Sequence, residues 1–261
     1  MKRLLKIFFA LLTAAGIASA ADCPACTVAK LCEPHATADK EAAKAFREGV
    51  GNPDPAVRSS AIDLFADACA AHANCRPAAN AMLLAAALKD SAAGVRAKAA
   101  EKLGAQDPRT VGPILDREVD ALLKKLEKDP KGAREEEAWL GNFEFMKGIC
   151  AALSAMGNAD AGPATARILG STRLKVLDLG AETAPKVKAK EIPPAFIAAI
   201  DRVRFSKVSA ERDATWVRLL KGWEAMTKSG TKPPDPVDPG DAVRFVNDCK
   251  AWWKANEKTW K

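Results

Sequence analysis

The sequence predicts an all-α protein whose antiparallel helix pairs stack into an α–α superhelix, a solenoid. A helical segment recurs, because the pairs Val57-Arg58 and Val95-Arg96 stand 38 positions apart (95 − 57 = 38), an interval typical of helical repeats. Ala is abundant, aromatic residues make up only 6% of the chain and Tyr is absent, a composition that favours closely packed helices. Apolar residues recur every three or four positions, the spacing of one helix face.

The first 20 residues are predicted to be a secretory signal peptide. Basic residues precede a largely apolar run at 4–17, and Ala18-Ser19-Ala20 fits a small-residue cleavage site. An N-terminal membrane anchor is the alternative, but the apolar run is short for a membrane span. We therefore expect a periplasmic or secreted protein with no membrane insertion after signal cleavage.

A Cys-rich segment at 21–35 precedes the predicted helical repeats at 36–228. Gly, Pro and Asn separate the helices, as in GNP at 51–53 and DPKG at 129–132. The predicted helices are residues 37–49, 54–70, 77–89, 92–103, 109–128, 133–156, 160–169, 172–183, 194–204, 209–228 and about 241–258.

The helix at 92–103 is the clearest one of the repeat. Asp90 and Ser91 are its candidate N-caps, and Gly104 is its expected terminator. In the longest predicted helix, 133–156, three Glu residues fall in the first turn, where negative charge suits the helix dipole. We interpret these carboxylates as a solvated helix start rather than an acidic site.

Apolar spacing also predicts which side chains face the core. The predicted core residues include Met82, Leu83, Ala86, Leu88, Val95, Ala99, Leu103, Val111, Leu115, Val119, Leu122, Leu126, Trp139, Leu140, Phe143, Met146, Ile149, Leu153, Val243, Val246, Cys249 and Trp253.

The C-terminal part reads as a Pro-rich loop followed by a cap. The loop SGTKPPDPVDPG at 229–240 carries four prolines, and we expect it to be extended and not helical. Residues 241–261 are predicted to form a helix that covers the last open face of the stack. Trp252, Trp253 and Trp260 either seal this end or offer a possible interface.

All seven cysteines lie after the signal peptide, and export favours disulfides. Cys69 and Cys75 flank a short loop and are the best candidate pair. Two of the three N-terminal cysteines are also expected to pair, and the odd total leaves at least one thiol unpaired. The cysteines are Cys23, Cys26, Cys32, Cys69, Cys75, Cys150 and Cys249.

Signals for catalysis are weak. A zinc shell could be completed by two pairs of residues, Cys23 with Cys26 and Cys32 with His35. The interval between these two pairs is, however, too short for common zinc modules. The sequence contains no G-x-S-x-G, H-E-x-x-H or phosphate-binding Gly loop. The net charge of +7 comes from scattered basic residues, so nucleic acid is not expected. We predict no cofactor and no enzymatic activity.

The two repeated stretches, DPAVRSSAIDLFADA and LKDSAAGVRAKAAEKLG, resemble HEAT repeats of the bacterial type. The tail CKAWWKANEKTWK also resembles the Trp-rich last helix of exported HEAT-repeat proteins. Residues 105–240 depart from the pattern, with longer helices and an inserted loop. The resemblance implies that Arg58, Asp90 and Arg96 are structural and hold turns and neighbouring repeats together. The matching residues are Asp54, Val57, Arg58, Ala61 and Leu64, and Asp90, Val95, Arg96, Ala99, Leu103 and Gly104.

Two function hypotheses follow from these observations. The resemblance implies a non-enzymatic protein–protein interaction scaffold, here of the bacterial cell envelope, with an unknown protein partner. The alternative is a thiol- or zinc-binding module at residues 23–35 that is carried on the solenoid.

Overall fold

The computed structural model describes residues 43–71, 77–230 and 239–260, and eleven α-helices and no strand lie in these ranges. The helices are α1 (43–50), α2 (Pro55–Ala71), α3 (Pro77–Ala86), α4 (Ala93–Leu103), α5 (Pro108–Leu126), α6 (Ala133–Met156), α7 (Gly162–Leu169), α8 (Leu174–Thr183), α9 (Ile192–Arg204), α10 (Ala210–Thr227) and α11 (Pro239–Asn256). The predicted all-α class is confirmed. No helix in this part of the chain is long and apolar enough to span a membrane.

The helices form two layers. Helices α3, α5, α7, α9 and α11 stack on one another in chain order, and α2, α4, α6, α8 and α10 stack beside them as the second layer. Short turns join α3 to α4, α5 to α6, α7 to α8 and α9 to α10, so each pair is antiparallel. This arrangement is compatible with the predicted superhelix.

One continuous apolar core runs between the layers. It extends from Phe46 in α1 to Cys249 in α11, and the ring of Phe46 packs on Phe65 of α2 with centroids 4.6 Å apart. Because each pair buries its apolar side only against its neighbours, the stack holds itself together. The predicted stripe of α5 is fully buried: Val111, Leu115, Val119, Leu122 and Leu126.

Four side chains predicted to face the core are exposed instead, among them Ala86 of α3. Met82 of α3 is 61% exposed and Val243 of α11 is 44% exposed, because neighbouring positions on those helices supply the buried face. Leu140 is 51% exposed, because the start of α6 extends past the helices on either side of it. Leu140 lines a recess in the surface.

The predicted N-caps of α4 are also wrong, whereas its predicted terminator is confirmed. Its N-cap is Ala92, which makes no side-chain cap, while the Asp90 carboxylate accepts hydrogen bonds from the Ala92 N–H and from Arg58. The helix ends at Leu103 with Gly104 as its C-cap, as predicted, although Gly104 keeps right-handed backbone angles. A Cβ at Gly104 would lie 2.6 Å from the Cα atom of Ala152, so Gly104 allows α4 and α6 to approach closely.

Prolines are tolerated where two helices begin. Helix α9 begins at Ile192, two residues before the predicted start, with Pro193 in its first turn. Helix α11 begins at Pro239, inside the segment predicted to be non-helical. Both positions are compatible with helix because the first N–H groups of a helix need no partner within it. Residues 231–238 of the predicted loop lie outside the described residues.

The turns within helix pairs all lie at one edge of the stack, which we call the turn edge. Here Arg58 donates two hydrogen bonds to the Asp90 carboxylate of the next pair, at 2.6 and 2.8 Å, and also binds the carbonyls of Asn52 and Pro53. These bonds hold the pKa of Asp90 below its ordinary value. Arg96 binds the carbonyls of its own turn. These contacts join neighbouring pairs and hold a turn, which is the structural role expected for Arg58, Asp90 and Arg96.

Candidate functional site

Helix α6 is longer than the helices that flank it in its layer. It has 24 residues, whereas α4 has 11 and α8 has 10. Residues 133–144, which we call the projecting half of α6, therefore extend toward the turn edge without full cover from α4 or α8. Residues 133–138 are all exposed.

An apolar surface remains on the projecting half. Trp139 is half-buried, stacks on Phe143 with centroids 5.2 Å apart, and donates its indole N–H to the Leu126 carbonyl at 3.0 Å. The Lys175 ammonium lies 5.9 Å from the centre of the Trp139 ring. Because Trp139 is fixed from three sides, the exposed Leu140 beside it stands on a rigid base.

A groove of about 410 Å³ opens between the projecting half, the start of α8 and the start of α10. Its floor is apolar and its rim is charged. The lining residues are Pro130, Trp139, Leu140 and Leu174 among the apolar ones, and Glu136, Thr172, Arg173, Lys175 and Glu211 among the polar ones.

A hydrogen-bond network holds the base of the groove in place. The Glu127 carboxylate accepts bonds from the Ser171 hydroxyl at 2.6 Å and from the Thr172 backbone N–H at 3.1 Å, and also from the Thr172 hydroxyl. Burial by itself would raise the pKa of Glu127, but these bonds bring it below its ordinary value. The network links the α5–α6 turn to the α7–α8 turn, so the groove does not depend on a free loop.

Some charged side chains on the rim of the groove are ion-paired within the protein and others are not. Arg173 donates to the Glu127 carbonyl and to the Asp129 carboxylate, at 2.6 Å for the latter, and this ion pair lowers the pKa of Asp129. Glu136 and Glu211 are exposed and form no ion pair within the part of the chain that the structure describes. Lys175 on the same rim is also exposed and forms no ion pair in the described ranges; its ammonium lies over the Trp139 ring. The rim therefore offers two carboxylates and one ammonium that are not ion-paired.

The structure places the three predicted interface tryptophans at the end of the stack, away from this groove. Trp252, Trp253 and Trp260 are half-buried and meet edge to face. Trp252 also packs on Trp223 of α10, with centroids 5.5 Å apart. Trp260 donates its indole N–H to the Ala189 carbonyl at 3.2 Å. These contacts tie α11 to the preceding helices, and a binding role for the three rings stays a prediction.

Most of the predicted thiol chemistry lies outside the described residues. Cys23, Cys26, Cys32 and Cys75 are not among them, and of Cys69 only the helical backbone is, so the disulfide and zinc hypotheses stay predictions. Within the described ranges, no group of three His, Cys, Asp or Glu side chains could hold a metal ion.

The two cysteines with described side chains, Cys150 and Cys249, are buried and free. Burial raises the pKa of each thiol to about 12. Both groups are therefore protonated core side chains at neutral pH, and they contribute nothing reactive to the groove.

The groove was missed in the sequence because Leu140 follows the same spacing as the buried residues of α6. A signal was nevertheless present. The predicted helix 133–156 is about twice as long as its neighbour 92–103, and its first turns carry charges on several sides. A helix that is longer than its neighbours must leave part of its apolar stripe uncovered.

No family model matches this chain, and no curated protein matches it in sequence. Among solved structures, the chain is similar to the crystal structure of an engineered protein. The sequence identity is 16% and the TM-score is 0.39, and the match covers 81% of this chain and 97% of that chain. A likeness at this level assigns neither a family nor a function.

Proposed function

We propose that the protein is a non-enzymatic protein–protein interaction scaffold of the bacterial cell envelope, periplasmic or secreted, with HEAT-like helical repeats. The signal-like composition of residues 1–20 supports the location, and the two Val-Arg repeats support the repeat class. The observation that carries the functional proposal is the groove at the turn edge.

The groove combines an apolar floor with a charged rim, as protein interfaces do. In such interfaces a few buried aromatic or aliphatic side chains supply most of the binding free energy, and a polar rim surrounds them. Trp139 and Leu140 correspond to the centre, and Glu136 and Glu211 to the rim. Because the floor is rigidly supported, a partner loses little free energy in ordering it.

The test compares two exposed apolar side chains on the same protein. Leu140→Asp places a charge on the groove floor, whereas Met82→Asp places the same charge on an exposed residue of α3 that does not line the groove. Circular dichroism should show the same helix content for both variants and the wild type.

Envelope proteins retained by each form are then quantified by mass spectrometry. We expect at least one protein that the wild type and Met82→Asp retain in equal amounts. Leu140→Asp should retain this protein in an amount at least about tenfold lower. An identical set of retained proteins for all three forms would contradict the proposal.

A further inference from the structure

We propose that the occupant of the groove is a second copy of this chain, which inserts its α9–α10 turn, so that two copies associate through their turn edges. This inference rests on the proposed function, because it names the partner of the same groove. It follows from three features of that turn: its exposed apolar side chains, the charge of Lys207 and the position of the turn next to the groove.

The α9–α10 turn exposes apolar side chains next to the groove. Phe205 is 76% exposed and Val208 is 75% exposed, more than any other large apolar side chain in the described ranges. Three residues after Val208, Glu211 lines the groove. Six large apolar side chains are exposed in those ranges, and three of them, Phe205, Val208 and Leu140, lie at this one edge. Clustering of this kind marks an interaction surface.

Phe205 packs on the charged side chain that precedes it. Its ring lies over the Arg204 guanidinium, 4.2 Å from ring centre to the central carbon. The Nε and Nη1 atoms of Arg204 are buried there without a hydrogen-bond partner. The ring over the guanidinium is a cation–π contact, and the Nη2 atom of Arg204 is ion-paired with Asp201 at 2.6 Å. Most of the Phe205 ring nevertheless remains exposed, so it can bury further apolar area in a partner.

The turn is complementary to the groove in charge and in polarity. Its exposed residues Phe205, Lys207 and Val208 place a cation between two apolar side chains, and Lys207 forms no ion pair in the described part of the chain. The groove rim has an excess of negative charge among its side chains without an ion pair, with the carboxylates of Glu136 and Glu211 against the single ammonium of Lys175. Complementary charges of this kind set the register of an interface.

The turn is held in a position from which it cannot fill its own groove. Arg212 donates hydrogen bonds to the carbonyls of Val203 and Arg204, at 3.3 and 3.1 Å, and the Ser209 side chain caps α10. The turn therefore continues directly into the helix that forms one wall of the groove. A two-fold axis that brings two turn edges face to face lets each turn enter the other groove, which closes the assembly as a dimer.

Analytical ultracentrifugation of the full chain over a range of concentrations tests the association. We expect a dimer for the wild type, and a dissociation constant raised about tenfold or more by the double variant Phe205→Ser with Val208→Ser. Met82→Ser is the matched control and should leave the dissociation constant unchanged. A wild type that is monomeric at every concentration, or a dimer that the double variant does not weaken, would overturn the inference.

Charge reversal tests the pairing itself. Lys207→Glu and Glu136→Lys should each weaken the dimer, and the combination should be tighter than either single variant, because the ion pair is restored with its signs exchanged. A combined variant as weak as the product of the two single effects would show that these residues do not meet. All five positions altered in these two tests are exposed, so loss of folding is not expected, and circular dichroism checks this.

A photoreactive benzoylphenylalanine in place of Leu140 separates this inference from the proposed function. A crosslinked product of twice the chain mass, joined to a peptide that contains Phe205 or Val208, supports the inference. If the purified chain is monomeric and crosslinks in cells only to a different protein, the inference fails and the scaffold proposal stands. If no crosslink to any protein forms, both fail.

Discussion

The two halves of α6 lie in opposite environments although they belong to one uninterrupted helix. In the C-terminal half, Met146, Ile149 and Leu153 are fully buried between the layers. In the projecting half, Leu140 remains half-exposed and residues 133–138 are all exposed. Both halves carry apolar side chains at helical spacing. The two halves differ in how far neighbouring helices shield them from water, because α4 and α8 are too short to reach the start of α6.

The comparison shows that one apolar stripe can serve as core at one end and as a binding floor at the other. Spacing decides which side chains share a face of the helix. The length of the neighbouring helices decides whether that face is shielded from water. Longer neighbours would turn the groove into core, and shorter ones would expose more of the core to solvent.

Thiol reactivity should separate the two halves most strongly. Cys150 lies in the buried half with a pKa of about 12, so its thiolate fraction near neutral pH is on the order of a thousandfold below that of an ordinary thiol. A Leu140→Cys variant places an exposed thiol in the projecting half. We expect iodoacetamide to label residue 140 at least about a thousandfold faster than Cys150, measured as a time course of the two peptides. Comparable rates would mean that the buried half opens readily.

A glycine of the buried half should be the most sensitive position for stability. A Cβ at Gly148 would lie 2.3 Å from the carbonyl oxygen of Ala97 in α4, and backbone cannot move aside cheaply. Gly148→Val is expected to lower the free energy of unfolding by about 3 kcal/mol or more, or to prevent folding. Urea unfolding followed by circular dichroism measures the change.

Gly94 in α4 supplies the control for that measurement. A Cβ at Gly94 would meet nothing within 4 Å, so Gly94→Ala is expected to stabilise the protein by about 0.5–1 kcal/mol through its helix propensity. A Gly148→Val variant that is as stable as the wild type would contradict the close packing of α4 against α6 at Gly148.

Leucine truncation compares the halves directly. Leu153→Ala in the buried half should cost about 3 kcal/mol, because it removes apolar contacts and leaves a cavity. Leu140→Ala should change the free energy of unfolding by less than about 0.5 kcal/mol while weakening association through the groove. Urea denaturation of both variants checks the first difference. Equal losses would mean that the projecting half is covered in the free protein.

The effect expected at the turn edge depends on pH. Because Arg58 lowers the pKa of Asp90 in the folded state, the unfolded state binds more protons at low pH. The stabilisation is therefore present above the unfolded pKa of about 3.9 and is lost as the pH falls through the folded pKa. Asp90→Asn should be less stable than the wild type near pH 7, and this gap should be narrower at about pH 3.

The exposed Glu137 of the projecting half is the control for that titration. Its carboxylate forms no ion pair in the described ranges, so Glu137→Gln should match the wild type at both pH values. A gap for Asp90→Asn that stays constant with pH would show that the Arg58 contact does not depend on the carboxylate charge.

The sequence alone determined the helices and their apolar stripes. Helix α6 was predicted with the bounds that the structure has, and the five residues of the α5 stripe are all buried. The order of antiparallel pairs followed from the short turns. These features were predictable because helical spacing, capping and turn residues are local, and a few neighbouring positions contain the whole signal.

Only the tertiary structure decided which parts of those stripes are covered. The exposure of Leu140 depends on how far α4 and α8 extend, and the partner of Asp90 is Arg58, 32 residues earlier in the chain. The close approach at Gly148 and the groove shared by three helices are likewise contacts between distant segments. A local pattern cannot specify them, because the same apolar stripe is stable as core or as surface according to what packs on it.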